Sequence, residues 1–378
     1  MAHYKKTRWH SFKVRSICEG CKRCVRGEKL VLFVTGLCSR KCFFCPISSE
    51  KYSRDVVFAN EWKVKDVNNP VEIFEEACMT GAKGAGITGG DPFLKLDRTC
   101  TYISELKERF GSDFHIHLYT SLDLVNKESL LKLFNAGLDE IRFHPSLDDD
   151  SLWDRILIAR DFSWSVGVEI PVIPGMREET EKLLRFLKGK IDFLNLNELE
   201  FSDTDSSHYV MDKYSRKNNE SYGVLGSEEL ALDLLDVCYD LGINAHYCTA
   251  RLKNRVQVGE RLKRRALHVA LATDEFTDEY LLYRGAIYLK GFEPGFDYKQ
   301  GSLVSKNVSL LKSAKANLVD SGLFDSEDLF FDFDRNRLLS HFSLVKNHAD
   351  KIKSFGLVPV IVEEYPSSDF FCVDLEFV

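Results

Sequence analysis

Between residues 29 and 248 the chain repeats one pattern: a short apolar, β-branched run followed by an amphipathic stretch. Lys29-Leu-Val-Leu-Phe-Val-Thr35 is almost continuously apolar and bounded by turn residues. That is the pattern of a strand buried on both faces. Strands are expected again at Gly84–Thr88, Phe114–Tyr119, Glu140–His144, Ser165–Ile173, Asp192–Phe201 and Ile243–Cys248. Between them the spacing predicts helices over 70–81, 98–110, 127–136, 151–161, 177–188 and 228–241. Gly137 suits the position just past a helix end, and Ser227 suits an N-cap. Six or seven βα units in succession require parallel strands and right-handed crossovers. The expected fold class is α/β, as a partial or nearly closed (β/α) barrel. Chemistry then belongs at the C-terminal ends of the strands.

Residues 203–223 are polar and rich in Asn and Ser, which predicts a long surface loop. Beyond about residue 255 the rhythm changes. A basic, helical stretch covers 251–265, followed by a strand over 280–289, helices over 305–321 and 336–354, and strands near 357–364 and 370–377. The expected organisation is a Cys-rich N-terminal extension (1–27), a barrel (28–250) and a C-terminal α+β domain (251–378). A chain of 378 residues suits one large α/β domain plus an appended one.

The formal net charge is −7, so the whole chain is not a polybasic nucleic-acid binder. The cations Arg251, Lys253, Arg255, Arg261, Lys263, Arg264 and Arg265 still form a local basic stretch that could track RNA phosphates. No apolar stretch approaches the roughly 18–20 residues of a membrane-spanning helix, and the N-terminal residues lack a signal-peptide core. The expected location is cytoplasmic. In a reducing compartment the 11 cysteines are not expected to form disulfides. Six of them crowd into residues 18–45.

Cys38-Ser-Arg-Lys-Cys42-Phe-Phe-Cys45 directly follows the first barrel strand. Three thiolates from one loop can hold three irons of a [4Fe–4S] cluster, leaving the fourth iron open. Zinc is the alternative, but structural zinc takes four ligands, usually in closely spaced pairs. Thr88-Gly89-Gly90-Asp91-Pro92 ends the second strand. Together these two elements resemble the radical S-adenosylmethionine (radical SAM) superfamily over roughly residues 28–250, with Asp91 where the family more often has Glu.

The resemblance implies that Cys38, Cys42 and Cys45 ligate the cluster and that SAM chelates its open iron. It places Gly89, Gly90 and Asp91 at the methionine amino group and Phe44 at the adenine. It also implies reductive cleavage of SAM to a 5′-deoxyadenosyl radical that abstracts hydrogen from a substrate. An external reductant such as ferredoxin or flavodoxin would drive that cleavage. The fifth strand resembles the family's apolar adenine-contact strand. Arg142 and His144 share one strand face and are candidate contacts to the SAM carboxylate. Asn195, Asn197 and Glu200, polar in a buried strand, are candidate SAM or substrate contacts.

Gly84-x-Gly86-x-x-Gly89 matches the dinucleotide fingerprint by letter. These glycines lie within a strand and no helix follows at once, so the fingerprint's context is missing. Cys18-x2-Cys21-x2-Cys24 precedes the barrel and suits a second, auxiliary [4Fe–4S] cluster, with zinc as the alternative. Cys248 is the expected fourth ligand, with His10 and His246 as alternatives. The leading function is a radical SAM enzyme with a second metal centre. A zinc- or Fe–S-stabilised RNA-binding or RNA-modifying protein and a glycyl-radical-enzyme activase remain alternatives.

Overall fold

The computed structural model describes residues 2–201, 213–218, 221–294, 307–367 and 369–378. The loop expected at 203–223 lies largely outside the described residues. The chain divides into two compact units, Met1–Arg261 and Leu262–Val378.

In the first unit the strands are β1 (Lys5–Lys6), β2 (Phe12–Val14), β3 (Leu30–Phe33), β4 (Phe58–Ala59), β5 (Trp62–Lys63), β6 (Gly84–Thr88), β7 (His115–Thr120), β8 (Glu140–Phe143), β9 (Ser165–Val172), β10 (Phe193–Glu198) and β11 (Ala245–Cys248). They form one sheet in the order β1-β2-β11-β10-β9-β8-β7-β6-β3-β4-β5. The stretch from β3 through β6, β7, β8, β9 and β10 to β11 is parallel throughout. The expected βα succession is therefore present. The sheet is a partial barrel rather than a closed one. Its ends are extended by antiparallel strands, β4 on β3 and β2 on β11.

The helices are α1 (Glu19–Cys24), α2 (Val71–Met79), α3 (Leu96–Phe110), α4 (Lys127–Ala136), α5 (Arg155–Ile158), α6 (Arg177–Leu187) and α7 (Ser227–Leu241). Asn126 and Ser129 cap α4 reciprocally, and Gly137 ends it in the left-handed conformation. The helix expected over 151–161 is only the short α5 and a following 3₁₀ turn.

Alternate residues of each parallel strand face opposite sides of the sheet. Ile116 and Leu118, Ile141 and Phe143, Val166, Val168 and Ile170, and Leu194 and Leu196 join the apolar core. The other face carries His115, His117 and Tyr119, then Glu140, Arg142 and His144, then Glu169, then Asn195 and Asn197. This polar set lines the barrel lumen. Glycines make space for it. A Cβ on Gly86 would stand 2.6 Å from His117 Nε2, and one on Gly167 would collide with the Phe193 ring.

The second unit begins within α8 (Val258–Val269) and holds β12 (Glu275–Phe276), β13 (Leu282–Leu289), α9 (Val308–Asp320), β14 (Phe330–Asp332), β15 (Arg337–Ser340), α10 (Phe342–Asn347), α11 (Ala349–Ser354), β16 (Leu357–Glu364) and β17 (Cys372–Phe377). Its antiparallel sheet runs β14-β15-β13-β16-β17, with β12 on β13. The helix expected over 336–354 starts late, because residues 337–340 pair with β13 and β14. Arg337 is buried there by Glu364 and the Tyr288 hydroxyl, partners remote in sequence.

Tight backbone packing gives a test. A Cβ on Gly90 would collide with the Leu37 carbonyl oxygen, whereas one on Gly259 in α8 meets nothing within 4 Å. Urea unfolding should show Gly90→Ala less stable by about 1–3 kcal/mol and Gly259→Ala more stable by about 0.5–1 kcal/mol.

Candidate functional site

β3 delivers the chain to the C-terminal end of the sheet, and the loop bearing Cys38, Cys42 and Cys45 follows at once. Backbone contacts fix this loop against the turn after β6. Gly90 N–H donates to Thr35 O at 2.7 Å, and Asp91 N–H donates to Leu37 O at 2.8 Å. A Cβ on Gly89 would collide with the Thr35 carbonyl oxygen. Both glycines are thus required for the approach of the two loops.

Asp91 is fully buried. Its Oδ1 accepts from Thr120 Oγ1 at 2.8 Å and from Phe93 N–H at 3.0 Å. Its Oδ2 accepts from Ser121 Oγ at 2.6 Å and from Ser121 N–H at 3.2 Å. The carboxylate therefore ties the ends of β6 and β7 together.

The cysteine loop is held from the other side as well. Ser39 Oγ donates to Asp123 at 2.8 Å, and Arg40 Nη1 donates to the His144 carbonyl at 2.7 Å. Burial pushes the Cys42 thiol up to about 11 and raises Cys38 and Cys45 too. A cleft of about 320 Å³ opens beside Cys42, bordered by Phe44, His144, Ile170, Ile173 and Met176. Phe44 and His144 lie 5.6 Å apart between ring centroids. His144 Nδ1 bonds the Glu169 carbonyl oxygen at 2.9 Å, and burial lowers its pKa to about 4. Phe44, His144 and the apolar fifth strand therefore meet in one place.

Arg142 points elsewhere. It is nearly fully buried and pairs with Glu140 (Nε to Oε1, 2.7 Å), Glu169 (2.9 Å) and the Tyr119 hydroxyl (2.7 Å). Its Nη2 also lies 3.5 Å from Cys18 Sγ and 3.7 Å from Cys21 Sγ. Asn195 and Asn197 both donate to Glu169, at 2.8 and 2.9 Å, and Asn195 reaches Cys21 Sγ at 3.3 Å. Burial opposes ionisation of Glu169, but Arg142, Asn197 and Asn195 outweigh it and hold its pKa below the usual carboxylate value. Glu200 is paired with Lys253.

The first cysteine triple thus lies inside the lumen, on α1. Gly20 N–H donates to Glu140 Oε2 at 3.1 Å, and Arg23 bonds Lys83 O just before β6. These contacts place α1 at the N-terminal ends of the strands, opposite the Cys38 loop. Cys248 lies at the end of β11, clustered with Val25 and Leu252. β11 runs beside the N-terminal segment, through β2. Among the described residues no three His, Cys, Asp or Glu side chains stand as a preformed metal-ligand set. Metal binding requires thiols to lose their protons and draw together.

The site expected from the sequence left out Glu140, His117, Tyr119 and Glu169. Their signal was alternation: His115-x-His117-x-Tyr119 and Glu140-x-Arg142-x-His144 on strands that must be buried. In the basic stretch, Lys253 pairs with Glu200 and Arg265 is buried against the Pro366 carbonyl. Those two cations face inward, away from any phosphate track.

Two predictions follow from the buried groups. Asp91→Ala should cost about 1–3 kcal/mol in unfolding free energy, because Thr120 and Ser121 lose a buried acceptor; thermal melts would read it. His144 offers the second. The unfolded chain protonates this histidine below about pH 6.5, whereas the folded chain resists until about pH 4. Its stabilisation is complete above pH 6.5 and declines as pH falls toward 4. His144→Asn should flatten the loss of stability over that window by up to about 1.4 kcal/mol per pH unit.

Residues 32–187 match the family model described as the Radical SAM superfamily. A Methanocaldococcus jannaschii protein, named as a putative glycyl-radical enzyme activating enzyme, is 41% identical over 277 residues, covering 71% of this chain and 72% of that one. The GTP 3′,8-cyclase of Staphylococcus aureus is 25% identical over 194 residues, 47% of this chain and 55% of the cyclase. Among solved structures, methylornithine synthase aligns at 16% identity with a TM-score of 0.38, over 64% of this chain and 80% of that one.

Proposed function

Since the chain belongs to the radical SAM superfamily, we propose how its own residues divide the work of such an enzyme. The observation that carries the proposal is the backbone lock between the Cys38 loop and Gly89-Gly90 at the C-terminal strand ends. Cys38, Cys42 and Cys45 hold three irons of a [4Fe–4S] cluster. Three thiolates on one short loop fit that donor set. With SAM and one electron from an external reductant, a cluster held there would supply reductive cleavage of SAM to methionine and a 5′-deoxyadenosyl radical able to take a hydrogen atom from substrate.

The Gly89-Gly90 backbone receives the methionine end of SAM. Phe44, Ile170 and Ile173 flank the adenine in the cleft. His144, neutral and anchored to the Glu169 carbonyl, shapes the cleft and adds no charge. Asp91 acts through the loops that it ties, as a positioning residue. Arg142 serves the lumen rather than the SAM carboxylate, since Glu140 and Glu169 already neutralise it.

The name of the M. jannaschii relative favours a glycyl residue of a partner protein as the hydrogen donor. The auxiliary cysteines Cys18, Cys21 and Cys24 precede the radical SAM motif in this chain. Cys18, Cys21 and Cys24 hold a second metal centre, a [4Fe–4S] cluster or zinc. An external one-electron reductant of the ferredoxin or flavodoxin class completes the system. RNA modification is the weaker reading, because Lys253 and Arg265 are turned inward.

The test is anaerobic reconstitution followed by assay of 5′-deoxyadenosine formed from SAM under reducing conditions. The unaltered chain should form it. The chain carrying Cys38→Ala, Cys42→Ala and Cys45→Ala should form none. Equal turnover in that variant would overturn the assignment.

A further inference from the structure

Gly20 and Cys21 of α1 are buried in the lumen, and polar side chains surround the Cys18 and Cys21 sulfurs. Cys18 precedes α1 as its N-cap, Cys21 lies in the middle and Cys24 ends it. In a regular helix, residues three apart share a face, and six residues rise about 9 Å. The sulfurs therefore form a row along α1 rather than the loop wrap expected from their spacing. Three N–H···S contacts converge on the first two. Arg142 Nη2 reaches Cys18 Sγ at 3.5 Å and Cys21 Sγ at 3.7 Å, and Asn195 Nδ2 reaches Cys21 Sγ at 3.3 Å. Cationic and amide donors aimed at sulfur favour thiolate, while burial, with the neighbouring Cys21 thiol, holds the Cys18 pKa well above its usual value.

A second observation is independent of the cysteines. His117 is 2% exposed, and its Nδ1 has no hydrogen-bond partner. A buried ring nitrogen without a partner costs free energy. Its ring is gripped on the far side by Gly86, so that Nε2 faces β6 and Nδ1 faces α1. The position that a Cβ on Gly20 would occupy lies against Arg142 Nη2, its nearest neighbour, and 2.7 Å from Glu140 Oε1 and 2.9 Å from His117 Nδ1. Gly20 sits between Cys18 and Cys21. Glu140 Oε1 in turn lies 3.8 Å from Cys18 Sγ. The free imidazole nitrogen and the first two sulfurs therefore lie around the Arg142 guanidinium in one small region of the lumen.

We propose that the lumen below the SAM site holds a thiophilic metal centre bound by Cys18, Cys21, Cys24 and His117 Nδ1. Arg142 and Asn195 donate to its sulfurs, and Glu140 and Glu169 balance the guanidinium. The proposal rests on the reading that the first cysteine triple binds metal, and it adds the place, the fourth ligand and the supporting residues. His117 replaces Cys248 as that ligand. The Cys248 thiol packs with Val25 and Leu252, and Gln257 Nε2 lies 3.9 Å from it. His246 has a similarly unpartnered Nδ1, with its Nε2 bonded to Ser11 on the segment leading into β2, and serves as the control. Neutral imidazole and thiolate are both good donors for zinc and for iron. Metal content decides between a single zinc ion and an iron–sulfur cluster.

The experiment uses the full chain with Cys38→Ala, Cys42→Ala and Cys45→Ala, so that only the lower centre reports. It is prepared anaerobically with iron and sulfide, and in parallel with zinc alone. Iron, sulfide and zinc per chain are measured. With ¹⁵N-histidine labelling, pulsed EPR of the reduced cluster reads a nitrogen ligand; X-ray absorption reads it for zinc. Metal retained with one nitrogen donor is the expected result. His117→Ala should lower metal affinity at least about tenfold, since even partners one shell further out cost 10–100-fold. His117→Cys should bind metal again without the nitrogen signature, which also controls for folding. Cys248→Ala and His246→Ala should leave both readouts unchanged. A chain that binds no metal after loss of the upper cysteines would overturn the second centre itself. Metal with an unchanged spectrum in His117→Cys, or metal lost in Cys248→Ala or His246→Ala, would leave that centre standing and overturn His117 as its ligand.

Discussion

The ion cluster of Glu140, Arg142 and Glu169 is the constraint around which the barrel is arranged. Arg142 is 2% exposed between carboxylates on its own strand and on β9. Removing one partner of such a buried pair typically costs about 3–5 kcal/mol, so each member constrains the others. Glu140 also holds the backbone of α1, and Glu169 also orders Asn195 and Asn197. The Glu169 carbonyl oxygen anchors His144 at the cleft. One carboxylate residue thus links the thiols at the N-terminal ends of the strands to the cleft at the C-terminal ends. The lumen is a set of coupled polar groups rather than an apolar core.

Glycine placement follows from the same crowding. Gly86 clears space for the His117 ring and Gly167 for Phe193, while Gly89 and Gly90 let two backbone segments touch. The pattern that imitates a dinucleotide fingerprint is a set of separate steric needs. Each glycine answers a different neighbour, and none of those neighbours is a helix start.

Much of this architecture is readable from the chain. The period-two and period-3.6 patterns place the parallel strands within one to three residues, since burial on both faces leaves little freedom in composition. The Cys38 loop and the Gly89-Gly90 turn were visible because local spacing carries their chemistry. What escaped depends on partners distant in sequence. Asp91 reads as a ligand contact until Thr120 and Ser121 are found on its carboxylate. Arg142 reads as a SAM contact until Glu140, Glu169 and two sulfurs surround it. Residues 337–340 read as helix because Arg337, at home on an exposed helix, is here buried by Glu364. Strand pairing and lumen packing are long-range facts, and a local pattern does not contain them.

The most direct test of the account is anomalous diffraction at the iron edge from an anaerobically grown crystal of the full chain with SAM. The account predicts iron density held by Cys38, Cys42 and Cys45, with the amino-acid end of SAM against Gly89-Gly90 and the adenine beside Phe44. A Cys38 loop that carries no iron, or SAM bound away from that loop, would contradict it.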